Sequence, residues 1–167
     1  MKNLACLTVL SVFASPAVCH PYTLCKSDEI VVFDCVANKK IVSVCLADDS
    51  DSSSLKLIYR FGSNRTATPE MVYPQSGIGT FYLSDAGSTK SREERLRFSV
   101  SSFDYLVYSG SDVRTGNYAG VAVLKDNKII SKTSCSGLEN DEPWPISIPR
   151  SLVLKEQPNY NIALHGK

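Results

Sequence analysis

Apolar and polar residues alternate along most of this chain, and this alternation is the feature that most limits its fold. Residues 95–100 are the clearest run, in which Leu96, Phe98 and Val100 point one way while the arginines and the serine between them point the other. That pattern is typical of a strand with one buried and one solvated face. No segment of twelve or more residues carries a clear stripe of apolar side chains at helical spacing. The sequence therefore predicts an all-β protein.

Turn-forming residues divide the chain into about eight to ten short strands. Asn38 and the pair Asp126-Asn127 are placed at tight hairpin turns because their side chains tolerate a positive φ. Residues 84–94 are predicted to be a mobile loop, and residues 139–149, with three prolines and the only tryptophan, a fixed loop. The predicted strands are residues 30–36, 41–46, 55–61, 70–73, 79–83, 95–100, 103–108, 121–124, 128–132 and 151–155. This order predicts an antiparallel β-sandwich or small barrel.

Residues 1–19 have the three parts of a secretory signal peptide. Lys2 supplies the basic part, residues 4–14 the apolar run, and Ser15 and Ala17 the small residues of a cleavage site. Cleavage after Ala17 or Cys19 leaves residues 20–167 as a single β domain. The apolar run is shorter than the roughly twenty residues that span a membrane, so no transmembrane segment is expected. We therefore expect a periplasmic or secreted protein.

A lipid anchor at Cys19 is the alternative to an ordinary cleaved signal. A lipid-modified cysteine would stand at the mature N-terminus, directly after the apolar run. Lipoprotein signals usually place a small residue before that cysteine and leucine three residues before it, whereas Val18 and Pro16 occupy those positions. The flanking residues therefore favour an ordinary cleaved signal over lipidation.

Four cysteines of the mature chain are disulfide candidates in an exported protein. They are Cys25, Cys35, Cys45 and Cys135. Three pairings are open to four cysteines, but a two-residue turn at residues 38–39 would put Cys35 opposite Val42 and Cys45 opposite Val32. The two side chains then lie on opposite faces of one hairpin, which disfavours a bond between them. Cys25 and Cys135 are therefore the favoured disulfide partners of the two hairpin cysteines.

Charge and histidine content exclude several classes of function. Loss of Lys2 reduces the 18 basic residues to 17, equal to the 17 acidic residues, which leaves no basic surface for nucleic acid. His20 and His165 are the only histidines, and each lies near an end of the mature chain, where a catalytic triad is rarely held. The cysteines also lack the paired spacing of zinc sites. We expect no catalytic residue, no metal and no cofactor.

The acidic residues give no sign of a glycosidase, which needs two carboxylates across a cleft. Glu93 and Glu94 neighbour Arg92 and Arg95 in the sequence. This mixture of charges is interpreted as solvated surface.

The segment between the predicted strands 103–108 and 121–124 is the candidate for protein recognition. It is longer than a hairpin requires, and it combines small residues with an arginine and a tyrosine. The arginine can donate two parallel hydrogen bonds to a carboxylate of a partner, and the tyrosine can offer a rigid aromatic surface. The alternative is a Gly/Ser turn whose tyrosine covers the edge of the sandwich. Arg60, on an otherwise apolar strand, either faces solvent or pairs internally. The candidate binding residues are Ser109, Gly110, Ser111, Asp112, Arg114 and Tyr118.

The chain resembles a group of small secreted bacterial proteins, most of them uncharacterised. The resemblance extends over most of the mature chain and is carried by Cys25, Cys35, Lys40-Ile41-Val42-Ser43-Val44-Cys45, Tyr59-Arg60-Phe61-Gly62, Tyr105-Leu106-Val107-Tyr108-Ser109-Gly110 and Cys135. It is also similar to the periplasmic lysozyme inhibitors, which are disulfide-bearing β-domains that insert a loop into the lysozyme cleft. Their loop often has the pattern Ser-Gly-x-x-Tyr. Ser109-Gly110 begins that pattern here, whereas Val113 stands at its fifth position and the tyrosine comes at Tyr118.

The function expected from these residues is binding rather than catalysis. The resemblance implies a protein partner, namely a lysozyme-type peptidoglycan hydrolase that the chain would inhibit or give immunity against. Ser, Arg and Tyr side chains can hydrogen-bond the two catalytic carboxylates of such an enzyme without any chemistry of their own. The alternatives are a secreted structural or surface-interaction module without inhibitory activity, and a hydrolase of unrecognised type.

Overall fold

The structure is a computed structural model that describes residues 23–49, 54–63, 69–136 and 148–157. The predicted signal peptide, Cys19, both histidines and most of the proline-rich segment 139–149 lie outside the described residues. Among the described residues, no helix is long and apolar enough to cross a membrane.

In the part of the chain that the structure describes, ten strands form two sheets that pack face to face, which confirms the predicted all-β fold as a sandwich. The strands are β1 Ile30–Ala37, β2 Lys40–Asp49, β3 Ser54–Ser63, β4 Pro69–Tyr73, β5 Tyr82–Asp85, β6 Ser91–Val100, β7 Phe103–Asp112, β8 Gly116–Lys125, β9 Lys128–Ser134 and β10 Leu154–Lys155. One sheet is antiparallel, with the order β1-β2-β3-β4; the other has the order β10-β5-β6-β7-β8-β9, in which β10 is parallel to β5 and the other pairs are antiparallel. A short 3₁₀ helix, Arg150–Leu152, precedes β10, so the predicted strand at residues 151–155 is wrong for its first residues.

Both tight turns lie where the sequence predicts them. Asn38 connects β1 to β2 with a φ of 59°, and Asp126 and Asn127 connect β8 to β9 with φ values of 50° and 59°. In the second turn both central residues have a positive φ, which suits the right-handed twist of the two strands that the turn joins. These residues therefore fix the register of their hairpins.

The core between the two sheets is centred on the ring of Phe98 in β6. Tyr73 and Tyr105 stack on this ring with centroid distances of 4.4 and 5.1 Å, while Tyr59 and Phe81 meet it at 4.8 and 5.5 Å. Tilted and offset aromatic pairs at these distances add to the hydrophobic gain from burial. The alternation in residues 95–100 thus predicted the buried face of β6 correctly.

The described residues contain two disulfides, Cys25–Cys45 and Cys35–Cys135. Cys35 lies opposite Val42, as predicted, and it does not bond to Cys45. The prediction that Cys45 faces Val32 is wrong, because a register shift between Val31 and Phe33 puts Val31 opposite Cys45. The side chain of Cys45 therefore lies on the outer face of the four-stranded sheet, where Cys25 reaches it.

Residues 23–29 lie against that outer face. The backbone N–H of Leu24 donates to Ser43 Oγ at 2.9 Å, and the carboxylate of Glu29 accepts two hydrogen bonds from the guanidinium of Arg60, at 2.5 and 2.7 Å. Arg60 also donates to Cys45 Sγ at 3.0 Å. Of the two alternatives for Arg60, internal pairing is therefore correct, and the segment before β1 is held by a disulfide and a buried ion pair.

Two predicted boundaries around β5 and β6 are wrong. Residues 79–81 are not strand, and β5 is Tyr82–Asp85. Residues 84–94, predicted as a mobile loop, contain the end of β5 and the first four residues of β6. The turn between these strands is held by Asp85, whose Oδ1 accepts from the N–H of Gly87 at 3.0 Å, and by the N–H of Ser88, which donates to the carbonyl of Ser91 at 2.7 Å.

Candidate binding hairpin

The candidate recognition segment is a regular hairpin rather than a long loop. β7 continues to Asp112 and β8 begins at Gly116, so only Val113, Arg114 and Thr115 lie outside the ladder. The prediction of a loop was wrong here because it followed the low intrinsic preference of glycine and serine for strands. In this hairpin, cross-strand packing outweighs that preference.

Two tyrosines on the hairpin lie across from glycines on the opposite strand. Tyr118 is paired with Gly110, and Tyr108 with Gly120. A Cβ at Gly110 would lie 2.7 Å from the hydroxyl oxygen of Tyr118, and one at Gly120 would lie 2.4 Å from that of Tyr108. Each ring, together with a backbone carbonyl oxygen of the neighbouring strand, that of Arg92 at Gly110 and that of Thr133 at Gly120, occupies the space that a side chain would otherwise fill. This explains why glycine is found at these positions.

The ring of Tyr118 also closes a buried polar cluster on the outer face of the six-stranded sheet. Its hydroxyl donates to Glu93 Oε2 at 2.8 Å, and Arg95 Nε donates to Glu93 Oε1. The side chains of Glu93 and Arg95 are only 1% and 6% exposed, so the interpretation of Glu93 as solvated surface is wrong. The register with β7 places Glu93 opposite Gly110, which lets the carboxylate sit under the tyrosine.

Burial raises the pKa of both tyrosine hydroxyls. Desolvation and the hydrogen bond to Glu93 raise the pKa of Tyr118 above its ordinary value of 10.0, and desolvation raises the pKa of Tyr108 despite its hydrogen bond to Ser134. A protonated Tyr118 is a donor to the Glu93 carboxylate. We conclude that Tyr118 anchors the hairpin and is not available as a free binding residue.

Replacement of Tyr118 by phenylalanine is expected to lower the free energy of unfolding by about 1.5–3 kcal/mol, the usual range for a hydrogen bond to a charged group. The ring remains in place, so the loss reports on the bond to Glu93. Tyr82→Phe serves as the matched control, because the Tyr82 ring lies 4.2 Å from the guanidinium carbon of Arg97 and that contact survives loss of the hydroxyl. Urea unfolding measures both variants, and equal losses would contradict the assigned role.

The exposed end of the hairpin, which we call the tip, consists of Val113, Arg114, Thr115 and the adjoining Lys90. Asp112 Oδ1 accepts hydrogen bonds from the N–H groups of Arg114 and Thr115, at 2.8 and 3.3 Å. The N–H of Val113 donates to the carbonyl of Lys90 at 3.2 Å, which joins the tip to the β5–β6 turn. The tip is therefore held in one shape by its own hydrogen bonds.

Conformation and exposure at the tip also suit contact with another molecule. Gly116 closes the turn with a φ of 76°, a left-handed conformation that glycine adopts without strain. Val113 is 75% exposed, the most exposed large apolar side chain among the described residues, and Arg114 is exposed beside it. An apolar and a cationic side chain thus stand together on a rigid turn.

The structure separates the six candidate binding residues into two groups. Ser109 and Gly110 are buried in the sheet, and Tyr118 is half-buried against Glu93. Asp112 is half-buried and shapes the turn, Ser111 is half-buried in the ladder, and Arg114 alone of the six is exposed. The sequence analysis did not identify Val113 and Lys90 as surface residues of the tip. The signal available for Val113 was an apolar residue directly after Asp112, at the position of a turn.

One group of potential metal ligands occurs among the described residues. The ligand atoms of Cys25, Glu29 and Cys45 lie within 4.8 Å of one another. Their sulfurs are bonded to each other and the carboxylate is bound by Arg60, so these groups hold the N-terminal segment in place.

Comparison of the chain with known proteins adds no relative. No protein-family model, curated protein or solved structure matches it. The site must therefore be interpreted from its own geometry.

Proposed function

We propose that this chain is an exported binding protein that inhibits a lysozyme-type peptidoglycan hydrolase by inserting its tip into the carboxylate-lined cleft. The observation that carries the proposal is the rigid, exposed turn of Val113, Arg114 and Thr115. The two disulfides fit an oxidising compartment, where such enzymes act on the cell wall.

Rigidity of the tip favours binding because little conformational entropy is lost on association. The hydrogen bonds of Asp112 and the link from Val113 to Lys90 already fix the turn in the free protein. Behind it, Tyr118 and Glu93 fasten the two strands to β6. The partner would therefore meet a preformed surface.

The chemistry of the tip is complementary to a glycosidase cleft. Enzymes of this type hold two carboxylates about 5–9 Å apart, and an arginine can bind a carboxylate through two parallel hydrogen bonds. Arg114 supplies that group and Lys90 a second positive charge nearby. Val113 supplies an apolar contact that would be desolvated on insertion.

The test is a binding measurement between the oxidised protein and lysozymes of several structural classes. We expect a stoichiometric complex with at least one class, with a dissociation constant below about 1 μM, and loss of cell-wall hydrolysis by that enzyme. Absence of both binding and inhibition at micromolar concentration for every class would overturn the proposal and favour a structural or surface-interaction module.

A further inference from the structure

The disulfide between Cys25 and Cys45 has one accessible end and one buried end. Cys45 in β2 is 0% exposed, whereas Cys25 is half-buried. Cys25 directly precedes three exposed residues, 26–28, in a turn that the N–H of Glu29 closes by donating to the carbonyl of Lys26 at 3.1 Å. Of the two sulfurs, that of Cys25 is therefore the one within reach of a thiol in solvent.

A cation lies beside the buried sulfur. Arg60 Nη1 donates to Cys45 Sγ at 3.0 Å, and the Arg60 side chain is 6% exposed. The carboxylate of Glu29 lies within 4.8 Å of the same sulfur and opposes a negative charge there. That carboxylate is itself bound to the guanidinium by two hydrogen bonds, and it cannot donate one to sulfur. A thiolate that forms at Cys45 is therefore stabilised directly by Arg60.

The disulfide between Cys35 and Cys135 provides an internal comparison. It also has one half-buried end, Cys135, but its Cys35 end is 7% exposed and belongs to the apolar core between the two sheets. Attack at Cys135 would release a thiolate into apolar surroundings, where it is poorly solvated and leaves more slowly. The two disulfides thus differ in the environment of the buried leaving sulfur.

We propose that Cys25–Cys45 is a site of thiol–disulfide exchange with an external dithiol. A thiolate of the dithiol attacks Cys25 Sγ and bonds to it, and the electron pair of the broken disulfide bond leaves on Cys45 Sγ beside Arg60. The second thiol of the donor then displaces Cys25 from the mixed disulfide. The donor is oxidised to a disulfide, and its two electrons and two protons reduce Cys25 and Cys45 to thiols.

Exchange at this site releases the segment before β1 while the sandwich stays folded. The opened segment keeps the hydrogen bond from the N–H of Leu24 to Ser43 and the ion pair of Glu29 with Arg60. A thiolate at Cys45 competes with Glu29 for the guanidinium, which weakens this ion pair. The site lies on the four-stranded sheet and the tip on the six-stranded sheet, so the inference does not rest on the proposed inhibition.

The first experiment incubates the oxidised protein with reduced glutathione, a monothiol that leaves its adduct in place, and stops the reaction at intervals with excess iodoacetamide. Peptide mass spectrometry should find glutathione on Cys25 and the alkyl group on Cys45. This disulfide should open at least about tenfold faster than Cys35–Cys135. A glutathione adduct on Cys45, or opening no faster than that of Cys35–Cys135, would overturn the proposal.

A second experiment tests the role of the cation. Glu29→Leu/Arg60→Met should slow the opening of Cys25–Cys45 by dithiothreitol at least about threefold, because the leaving thiolate loses its guanidinium. Looser attachment of the segment would instead speed the opening, so the sign of the change separates the two effects. Arg92→Met, at a 69% exposed side chain, should leave the rate unchanged. A rate in the double variant equal to or above that of the wild type would contradict the role of Arg60.

Hydrogen exchange tests the consequence for the fold, after dithiothreitol has opened Cys25–Cys45 with Cys35–Cys135 intact. The N–H of Leu24, which donates to Ser43 Oγ, should exchange at least about tenfold faster than in the oxidised protein. The amides of β6, β7 and β8 should keep their protection. Unchanged exchange at Leu24, or loss of protection throughout the sandwich, would overturn the proposed release.

Discussion

Replacement of both Cys35 and Cys135 by alanine is expected to lower the free energy of unfolding by about 4.7 kcal/mol. The disulfide joins residues 100 positions apart, and in the chain-entropy model a loop of this length restricts the unfolded state by that amount. It also holds β1 beside the end of β9, where the N–H of Ser136 donates to the carbonyl of Val36 at 2.8 Å. Urea unfolding under non-reducing conditions measures the change.

The second disulfide provides the comparison. Cys25 and Cys45 are 20 positions apart, so the same model gives about 3 kcal/mol for their double alanine variant. A loss at Cys35 and Cys135 below about 2 kcal/mol would contradict the entropic account of this bond.

Replacement of Glu29 by alanine is expected to cost about 3–5 kcal/mol, because it leaves the guanidinium of Arg60 buried without its carboxylate. The side chains of Glu29 and Arg60 are 3% and 6% exposed. The loss should be largely recovered in Glu29→Leu/Arg60→Met, since an apolar pair needs no charge compensation. Chemical denaturation of the three proteins measures this sequence of stabilities.

The control is the exposed ion pair between Lys40 and Glu70, with side chains 38% and 47% exposed. Glu70→Ala should change the free energy of unfolding by at most about 1 kcal/mol. If Glu29→Ala lowers the free energy of unfolding no more than Glu70→Ala does, the buried pair is not required for the stability of the fold.

Acid should weaken the Glu29–Arg60 pair. Burial acts to raise the pKa of Glu29, but hydrogen bonds from Arg60 and from the N–H of Lys26, together with the guanidinium charge, hold the pKa below the ordinary value of 4.5. A lowered pKa means that the pair stabilises the fold fully above pH 4.5 and is lost as the pH falls through the folded-state pKa. The stability difference between the wild type and Glu29→Leu/Arg60→Met should change in that window.

The sandwich could be predicted from sequence wherever one residue type determines the local structure. Leu96, Phe98 and Val100 reveal the buried face of β6 through their spacing alone. Asn38 and Asp126-Asn127 reveal two turns because few residues accept a positive φ. The opposite faces of Cys35 and Cys45 follow from counting along one hairpin.

Features that depend on contacts between distant residues could not be predicted in the same way. Glu29 and Arg60 are 31 positions apart, and neither shows its partner in the local sequence. Glu93 resembles a surface residue among Arg92, Glu94 and Arg95, yet the pairing of β6 with β7 places it opposite Gly110, beneath the ring of Tyr118.

The candidate site likewise combines features that follow from the local sequence with features that depend on contacts between distant residues. Small residues at Ser109, Gly110 and Ser111 suggested a loop, because a single sequence does not show that Tyr118 covers Gly110 from the next strand. Arg114 was identified correctly as an accessible group, since its neighbours Asp112 and Gly116 are common in turns. A turn near Arg114 could be predicted, but the short length of the tip and its contact with Lys90 could not.

The most direct test of the central claim is an inhibition titration against the lysozyme that binds the wild-type protein, with two charge-reversal variants. Arg114→Glu changes the tip, and Lys128→Glu makes the same change of charge on exposed β9, at the other end of β8. We expect Arg114→Glu to raise the half-inhibitory concentration at least 100-fold, because it sets a carboxylate against the enzyme's own carboxylates, while Lys128→Glu changes it less than threefold. Equal inhibition by Arg114→Glu and the wild type would contradict the claim that the tip enters the cleft.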